Sequence, residues 1–321
     1  MNKFLKPTSY VHWVSRCVNQ HFLGHIERIF TPDPETPLRH RPIFFLGAPR
    51  SGSTLAVQVI TDALNVGYMS NRHCQWFGAP ALAEKLFHPT CRRRVSDYCS
   101  RHGVTEGWHA PAECGEWWYR FFRRKPSYTR LDDVDLNKMR AFRRSIASLT
   151  DAIDRPIVFK NLYASLRIQA IAHYLPESLF IVMHRNEVDN AHSLLEGRVR
   201  VFGDYQTWWS MEPPEIEALK RLPAHEQVIE QIHHIYRTID SDMKLARIDS
   251  TRRMDFTYED FCDNPASIVK SIRSFLKQNG CQVKSREIVL PESFARRQEV
   301  RIDEKLYESL RSYSVSKAVL K

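Results

Sequence analysis

FFLGAPRSGSTLAV, residues 44–57, is the stretch that decides how this chain folds. The apolar run RPIFFLG (41–47) ends in a glycine and gives way to Ala-Pro-Arg-Ser-Gly-Ser-Thr. A short apolar run bounded by turn residues reads as a buried strand. The following residues, STLAVQVITDALN, set Leu55, Val59, Ala63 and Leu64 on one helical face. Strand, glycine-rich turn and helix form the context that makes a phosphate-binding loop, G-x-x-x-x-G-K-[S/T], credible. Gly47 and Gly52 have that spacing and Thr54 closes it, but Ser53 stands where the lysine belongs and Arg50 stands inside the loop. The backbone N–H groups of Gly47, Ser51, Gly52, Ser53 and Thr54 can wrap an anion at the positive end of the helix. Arg50 adds a guanidinium that can fork onto phosphate oxygens. The missing lysine normally reaches the β- and γ-phosphates. Its absence points away from ATP or GTP hydrolysis, toward an anhydride with one phosphate and one further group.

A second unit extends the pattern. PIVFK (156–160) and LFIVMHR (179–185) read as strands, with a helix over SLRIQAIAHYL between them. That is a βαβ crossover, hence parallel pairing. NEVDNAHSLLEG then reads as a helix capped by Asn186 and ending near Gly197. RRMDFTYEDFCDNP gives a short strand and a turn, and PASIVKSIRSFLKQNG gives an amphipathic helix from Pro265 to a stop at Gly280. The expected fold is α/β: a P-loop-type three-layer domain with a central parallel sheet and helical insertions. The 321 residues are expected to form a single domain, 1–321, with inserts at about 70–154 and 203–247 shaping a second substrate's site. In such sheets ligands sit beyond the carboxyl ends of the strands. Arg50, Lys160, Arg185 and Tyr258 all follow strand ends.

Bulk composition narrows the function classes. No apolar run approaches a membrane span, which takes ~18 residues. The first twenty residues lack the continuous apolar core of a signal peptide; Tyr10, Val11, Val14 and Val18 fall at the spacing of an amphipathic cap. Seven cysteines without a C-x-x-C pair argue against a disulfide framework or zinc ribbon, and the expected compartment is the cytoplasm. The net charge of +10 favours anionic partners. The basic clusters, at 92–94, 123–125, 143–144, 252–253 and 296–297, are scattered, and no nucleic-acid-binding module accompanies them.

Arg185 closes a strand and Ser193 lies eight residues on, so both can look back at the same end of the sheet. Pro49-Arg50-Ser51-Gly52-Ser53-Thr54 after a strand, then strand–Arg185–x₇–Ser193, then TYEDF (257–261) before a proline-led helix, resembles the sulfotransferases that use 3′-phosphoadenosine 5′-phosphosulfate (PAPS). The resemblance is to the bacterial and carbohydrate-type branch and runs in family order from about 41 to 277. It implies that residues 50–54 hold the 5′-phosphosulfate, that Arg185 and Ser193 hold the 3′-phosphate, and that Tyr258 contacts the adenine region. It also implies adenosine 3′,5′-bisphosphate as product. No Walker-B type carboxylate is evident in the sequence, so no metal is expected. The chain departs from the cytosolic small-molecule branch. FKNLY offers Lys160 and Asn161 but no histidine base, and GRVRVFGD does not match the R-K-G segment.

Sulfonyl transfer needs a base for the acceptor proton and cations on the sulfonate and leaving phosphate. HGVTEGWHAPAECGEWWYRFF (102–122) resembles a segment of the bacterial members, with Glu113 at its acidic position. Glu113 is the expected base, with Glu116, His109 and His73 as alternatives; Lys160, as a sulfonate or acceptor contact, and Arg50, as a cation on the phosphosulfate, complete the expected catalytic set. A glutamate at a helix start also serves simply to complement the dipole. Trp117, Trp118 and Tyr119 read as an acceptor platform or as core. The expected partner is a small-molecule or glycan acceptor; the basic charge and aromatic inserts suit a carbohydrate or an acidic metabolite, with a polyphenol, an alkaloid or a lipid head group as alternatives. The rival readings are a P-loop kinase or phosphotransferase dependent on magnesium, and a nucleic-acid-binding protein with steep salt dependence.

Overall fold

The computed structural model describes residues 14–29, 33, 36–87, 96–98, 105–296 and 299–319. Tyr10, Val11, Cys91, Cys99 and the basic cluster 92–94 lie outside them. The frame is a five-stranded, all-parallel sheet in the order β2-β3-β1-β4-β5. The strands are β1 (Ile43–Gly47), β2 (Gly67–Tyr68), β3 (Ile157–Lys160), β4 (Leu179–His184) and β5 (Arg253–Thr257). β1 is central, with Phe45 opposite Lys160 of β3 and Gly47 opposite Met183 of β4. Every residue of β1 and β3 is buried, as a strand covered on both faces requires. Phe44 stacks on Phe159 and Phe180, with ring centroids 5.3 and 6.0 Å away. Each such buried ring contributes about 1.5–3 kcal/mol.

The strand order explains where a ligand can sit. From β1 the chain crosses through α1 (Ser53–Ala63) toward β2, and from β3 it crosses back over β1 to β4. Right-handed crossovers in opposite directions put helices on opposite faces. The connections leaving β1 and β4 therefore part, opening a crevice at their carboxyl ends. α1 packs on β3 and against α7 (Pro265–Gln278) on one face. α4 (Glu187–Phe202), α5 (Ala224–Leu245) and α8 (Glu304–Val319) pack together as a second group.

Local chemistry sets the element ends. Asn186 accepts the Asp189 N–H and caps α4, and Asn264 accepts the Ser267 N–H ahead of Pro265 to cap α7. Three expectations need correction. α4 does not stop near Gly197 but runs to Phe202, with Gly203 as its left-handed cap. Gly197 is there because the Trp209 ring lies where a side chain would be; a Cβ would come within 2.1 Å of it. α1 has no single buried stripe, because sheet and α7 cover it almost all round; Leu55 is its partly exposed residue. The segment after β5 is not a turn but a short helix, α6 (Tyr258–Asp263), whose capping Thr257 side chain accepts the Asp260 N–H.

The range 70–154 contains the helices Asn71–Gln75 and Pro80–Phe87, then α2 (Gly115–Trp118) and α3 (Leu136–Ile153). The range 203–247 contains Ile216–Leu219 and α5. Among the described residues, Cys17, Cys74, Cys114, Cys262 and Cys281 form no disulfide, and no helix is long and apolar enough to cross a membrane.

Candidate functional site

Beyond the carboxyl ends of β1 and β4 lies a cavity of about 910 Å³. Arg50, Gly52, Ser53, Thr54, Glu113, Arg185, Ser193 and Tyr258 line it together. Its floor is the turn after β1. Gly47 at the strand end donates its N–H to Ser165 Oγ (3.0 Å), whose hydroxyl returns a bond to the Gly47 carbonyl (3.2 Å). A Cβ on Gly47 would come within 2.7 Å of the Met183 carbonyl, so the close approach of β4 requires glycine. Asn190 on α4 donates to the Pro49 carbonyl at 2.7 Å. Arg50 itself is left-handed, with φ 67°, a conformation non-glycine residues hold only when their surroundings impose it. Gly52, with φ 94°, caps α1, and the Tyr258 ring covers it so closely that a Cβ would lie 2.3 Å from the ring.

The two arginines expected at separate anion positions meet. Arg185 Nη1 donates to the Arg50 carbonyl at 2.8 Å, and its guanidinium lies 4.8 Å from the Tyr258 ring centroid. Arg50 Nε donates to Ser193 Oγ at 3.1 Å. The Arg50 side chain thus reaches toward α4, to the serine paired with Arg185 in the sequence motif. Two buried polar atoms here, Ser51 Oγ and Arg185 Nε, make no hydrogen bond. Buried groups left in this way mark where a polar partner belongs. Burial pushes the Tyr258 phenol up to about 12, so it is a neutral hydroxyl at ordinary pH.

At the neighbouring strand end, Lys160 is buried and its Nζ lies 3.3 Å from Glu113 Oε1. Asn161 donates to the Glu113 carbonyl at 3.1 Å and fixes the backbone there. Glu113 precedes α2, whose cap is Cys114 in a left-handed conformation (φ 47°), so this carboxylate is not part of the helix's first turn. The other base candidates point elsewhere. Glu116 is ion-paired with Arg124 and lies 3.4 Å from Arg16. His73 is buried, accepting the Ser70 N–H at Nδ1 (2.9 Å) with Nε2 3.1 Å from Glu84. His73 and His109 line a separate cavity of about 130 Å³, and burial lowers the pKa of both. Cys114, beside Glu113, is buried and its thiol is pushed up, which suits packing rather than nucleophilic attack.

The platform reading of the tryptophans fails. Trp117 and Trp118 are 0 and 1% exposed and pack with Phe142 and Phe159 in the core. Helix α2 is a single turn whose indoles find the sheet before they find solvent. The aromatic groups that do line the cavity include Tyr163 and Trp209. Trp209 belongs to the insert expected to shape the second substrate's site, whereas Tyr163, Ser210, His192 and Arg301 were missed in the sequence. Tyr163 follows Lys160 by three positions and His192 adjoins Ser193, so both had a signal by proximity. Ser210 and Arg301 had none. Ser210 is left-handed (φ 72°), and Arg301 comes from the segment that returns over the cavity before α8.

A family model described as "Sulfotransferase family" matches residues 42–279. No curated protein sequence matches significantly. Among solved structures, a sulfotransferase from Mycobacterium avium is similar at 14% identity and TM-score 0.54, over 98% of this chain and 79% of that one. A sulfotransferase from Mycobacterium tuberculosis is similar at 14% identity and TM-score 0.50, over 84% of this chain and 76% of that one. At such identity these two likenesses speak to the fold.

Proposed function

The chain belongs to the sulfotransferase family, and from that premise we propose that it moves the sulfonate of PAPS to a hydroxyl or amine of a small-molecule or glycan acceptor. The observation that carries this reading is the meeting of the Arg50 loop with Arg185 in one cavity, where Ser51 Oγ and Arg185 Nε lack partners. An adenosine carrying anionic groups at its 3′ and 5′ positions has the charge such a cradle takes. Such a donor supplies an activated sulfonate on a phosphate leaving group. The N–H groups at the start of α1, with Arg50, Ser53 and Thr54, would hold the phosphosulfate; Arg185 and Ser193 would hold the 3′-phosphate. The Arg50–Ser193 contact makes these two groups of residues neighbours rather than distant stations.

Glu113 is the base in this reading. It lines the cavity, and the buried Lys160 Nζ, 3.3 Å from its Oε1, holds it in place. As the acceptor proton reaches Glu113, the Lys160 charge becomes available to the sulfonate oxygens. Binding two substrates side by side supplies the remainder of the rate through positioning.

Calorimetry with adenosine 3′,5′-bisphosphate and with ATP, both in EDTA, tests the donor assignment. The bisphosphate is expected to bind more tightly, and Arg185→Ala to weaken it at least tenfold. Equal affinity in wild type and Arg185→Ala would remove the arginine from the donor site, and preference for ATP with magnesium would favour a kinase.

A further inference from the structure

The loop that follows α4 is clamped by buried side chains of α4 and α5. Arg198 of α4 is fully buried. Its Nη1 donates to the Tyr205 carbonyl (3.0 Å) and to Gln227 Oε1 of α5 (2.7 Å), and its guanidinium lies 5.3 Å from the Trp208 ring centroid. The Trp209 ring fills the space beside Gly197. Gln231 of α5, also fully buried, donates from Nε2 to the carbonyls of Trp209 (3.0 Å) and Met211 (2.8 Å). Ser210 stands between those two clamped residues with a left-handed backbone, φ 72°. Glycine would hold that conformation without strain, yet the position carries a hydroxyl and lines the cavity. Strain of this kind persists where the surroundings impose it, and it collects at ligand contacts.

The Ser210 hydroxyl hydrogen-bonds the Tyr163 phenol. Tyr163 lines the cavity with Glu113, and the fully buried Arg167 guanidinium lies 5.7 Å from its ring centroid. The Tyr163 N–H donates to Asn161 Oδ1 at 3.1 Å, and the Asn161 side chain donates to the Glu113 carbonyl at 3.1 Å. One asparagine therefore ties the backbone of the phenol to the backbone of the base. Burial pushes the phenol up to about 12, so it keeps its proton at ordinary pH. A serine that donates to the phenol oxygen leaves the phenol proton for a third group.

Resting on the sulfotransfer reading, we propose that Tyr163 donates a hydrogen bond to an acceptor oxygen next to the group that is sulfonated, and that Ser210 is the positioning residue that aims it. A hydrogen bond given to the attacking atom itself would draw on the lone pair that must reach sulfur. The phenol is therefore matched to a second oxygen, and the acceptor is an oxygen-rich molecule such as a polyol or a diol. Two fixed points, Glu113 on the reacting group and Tyr163 on its neighbour, orient the acceptor for in-line attack.

The probe is a bacterial metabolite extract offered in serial dilution with PAPS whose sulfonate is radiolabelled, and label is read in the most heavily labelled product. That product is expected to carry a second oxygen beside the sulfated position. Tyr163→Phe and Ser210→Gly are each expected to raise the half-saturating extract concentration by about threefold or more, as loss of one neutral hydrogen bond requires, with the plateau rate and the adenosine 3′,5′-bisphosphate affinity little changed. Ser210→Gly also relieves the left-handed strain, so its melting temperature is expected to be no lower than wild type. Half-saturation unchanged in either variant, an equal loss of bisphosphate affinity, or a labelled product without a second oxygen overturns the proposal and leaves sulfotransfer standing. No label in any product, with the bisphosphate still bound, removes the sulfotransfer reading and this proposal with it.

Discussion

Gly52 shows how tightly single residues are specified at the loop. Its φ of 94° disfavours any side chain, and the Tyr258 ring occupies the space a Cβ would need. Gly203 has a similar φ of 80° but nothing within 4 Å. Gly203→Ala is therefore expected to cost only the left-handed penalty, about 1–2 kcal/mol. Gly52→Ala adds displacement of Tyr258, and with it a shift of the Arg185 guanidinium packed on that ring. Thermal melts and bisphosphate titrations of the two variants should separate: both melt lower, and only Gly52→Ala loses affinity. Equal affinities would show that Tyr258 does not organise the donor site. Glu113→Gln keeps shape and removes the proton acceptor. Turnover is expected to fall by about 10²–10⁴-fold with bisphosphate affinity held within a few fold. Near-normal turnover would strike Glu113 from the chemistry.

Among the elements, α4 joins the two halves of the site, since its start carries Asn186, Asn190, His192 and Ser193 and its middle receives Trp209. Helix propensity alone says that Gly197→Ala should stabilise by about 1 kcal/mol. The geometry says the opposite. The new methyl would come within 2.1 Å of the Trp209 ring and push out the loop that presents Ser210. The expected result is a lower melting temperature and weaker acceptor use, with donor affinity little changed. A melting temperature raised by Gly197→Ala would show that the 209–211 loop yields freely. Asn186→Ala removes the cap of the same helix and is expected to cost ~1 kcal/mol in a denaturant titration.

At the scale of the whole molecule, the N-terminal helix Gly24–Ile29 is tied to the Pro80–Phe87 helix through Glu27, whose carboxylate accepts the Ala81 N–H at 2.9 Å. Burial raises the Glu27 pKa from 4.5 to about 7, although Arg120 lies 3.7 Å away. Between those values the folded chain holds a proton that the unfolded chain has lost. Stability must then fall as pH rises from 4.5 to about 7, and this contribution is flat outside that window. Glu27→Gln should flatten that part of a plot of melting temperature against pH; an unchanged slope would assign it to other groups. The parts of the fold legible in the chain were local: the strand–loop–helix around Arg50, the two strand runs ending at Lys160 and Arg185, and the caps Asn186 and Pro265. Apolar runs, turn residues and capping act over a few positions, so they can be read from a few positions. The two-residue β2, the burial of Trp117 and Trp118, the pairing of Lys160 with Glu113, and the reach of Arg50 to Ser193 and of Arg301 to the cavity were decided by tertiary structure. Each depends on segments distant in sequence arriving at the same strand ends, and no local pattern records which of a side chain's possible neighbours will be there.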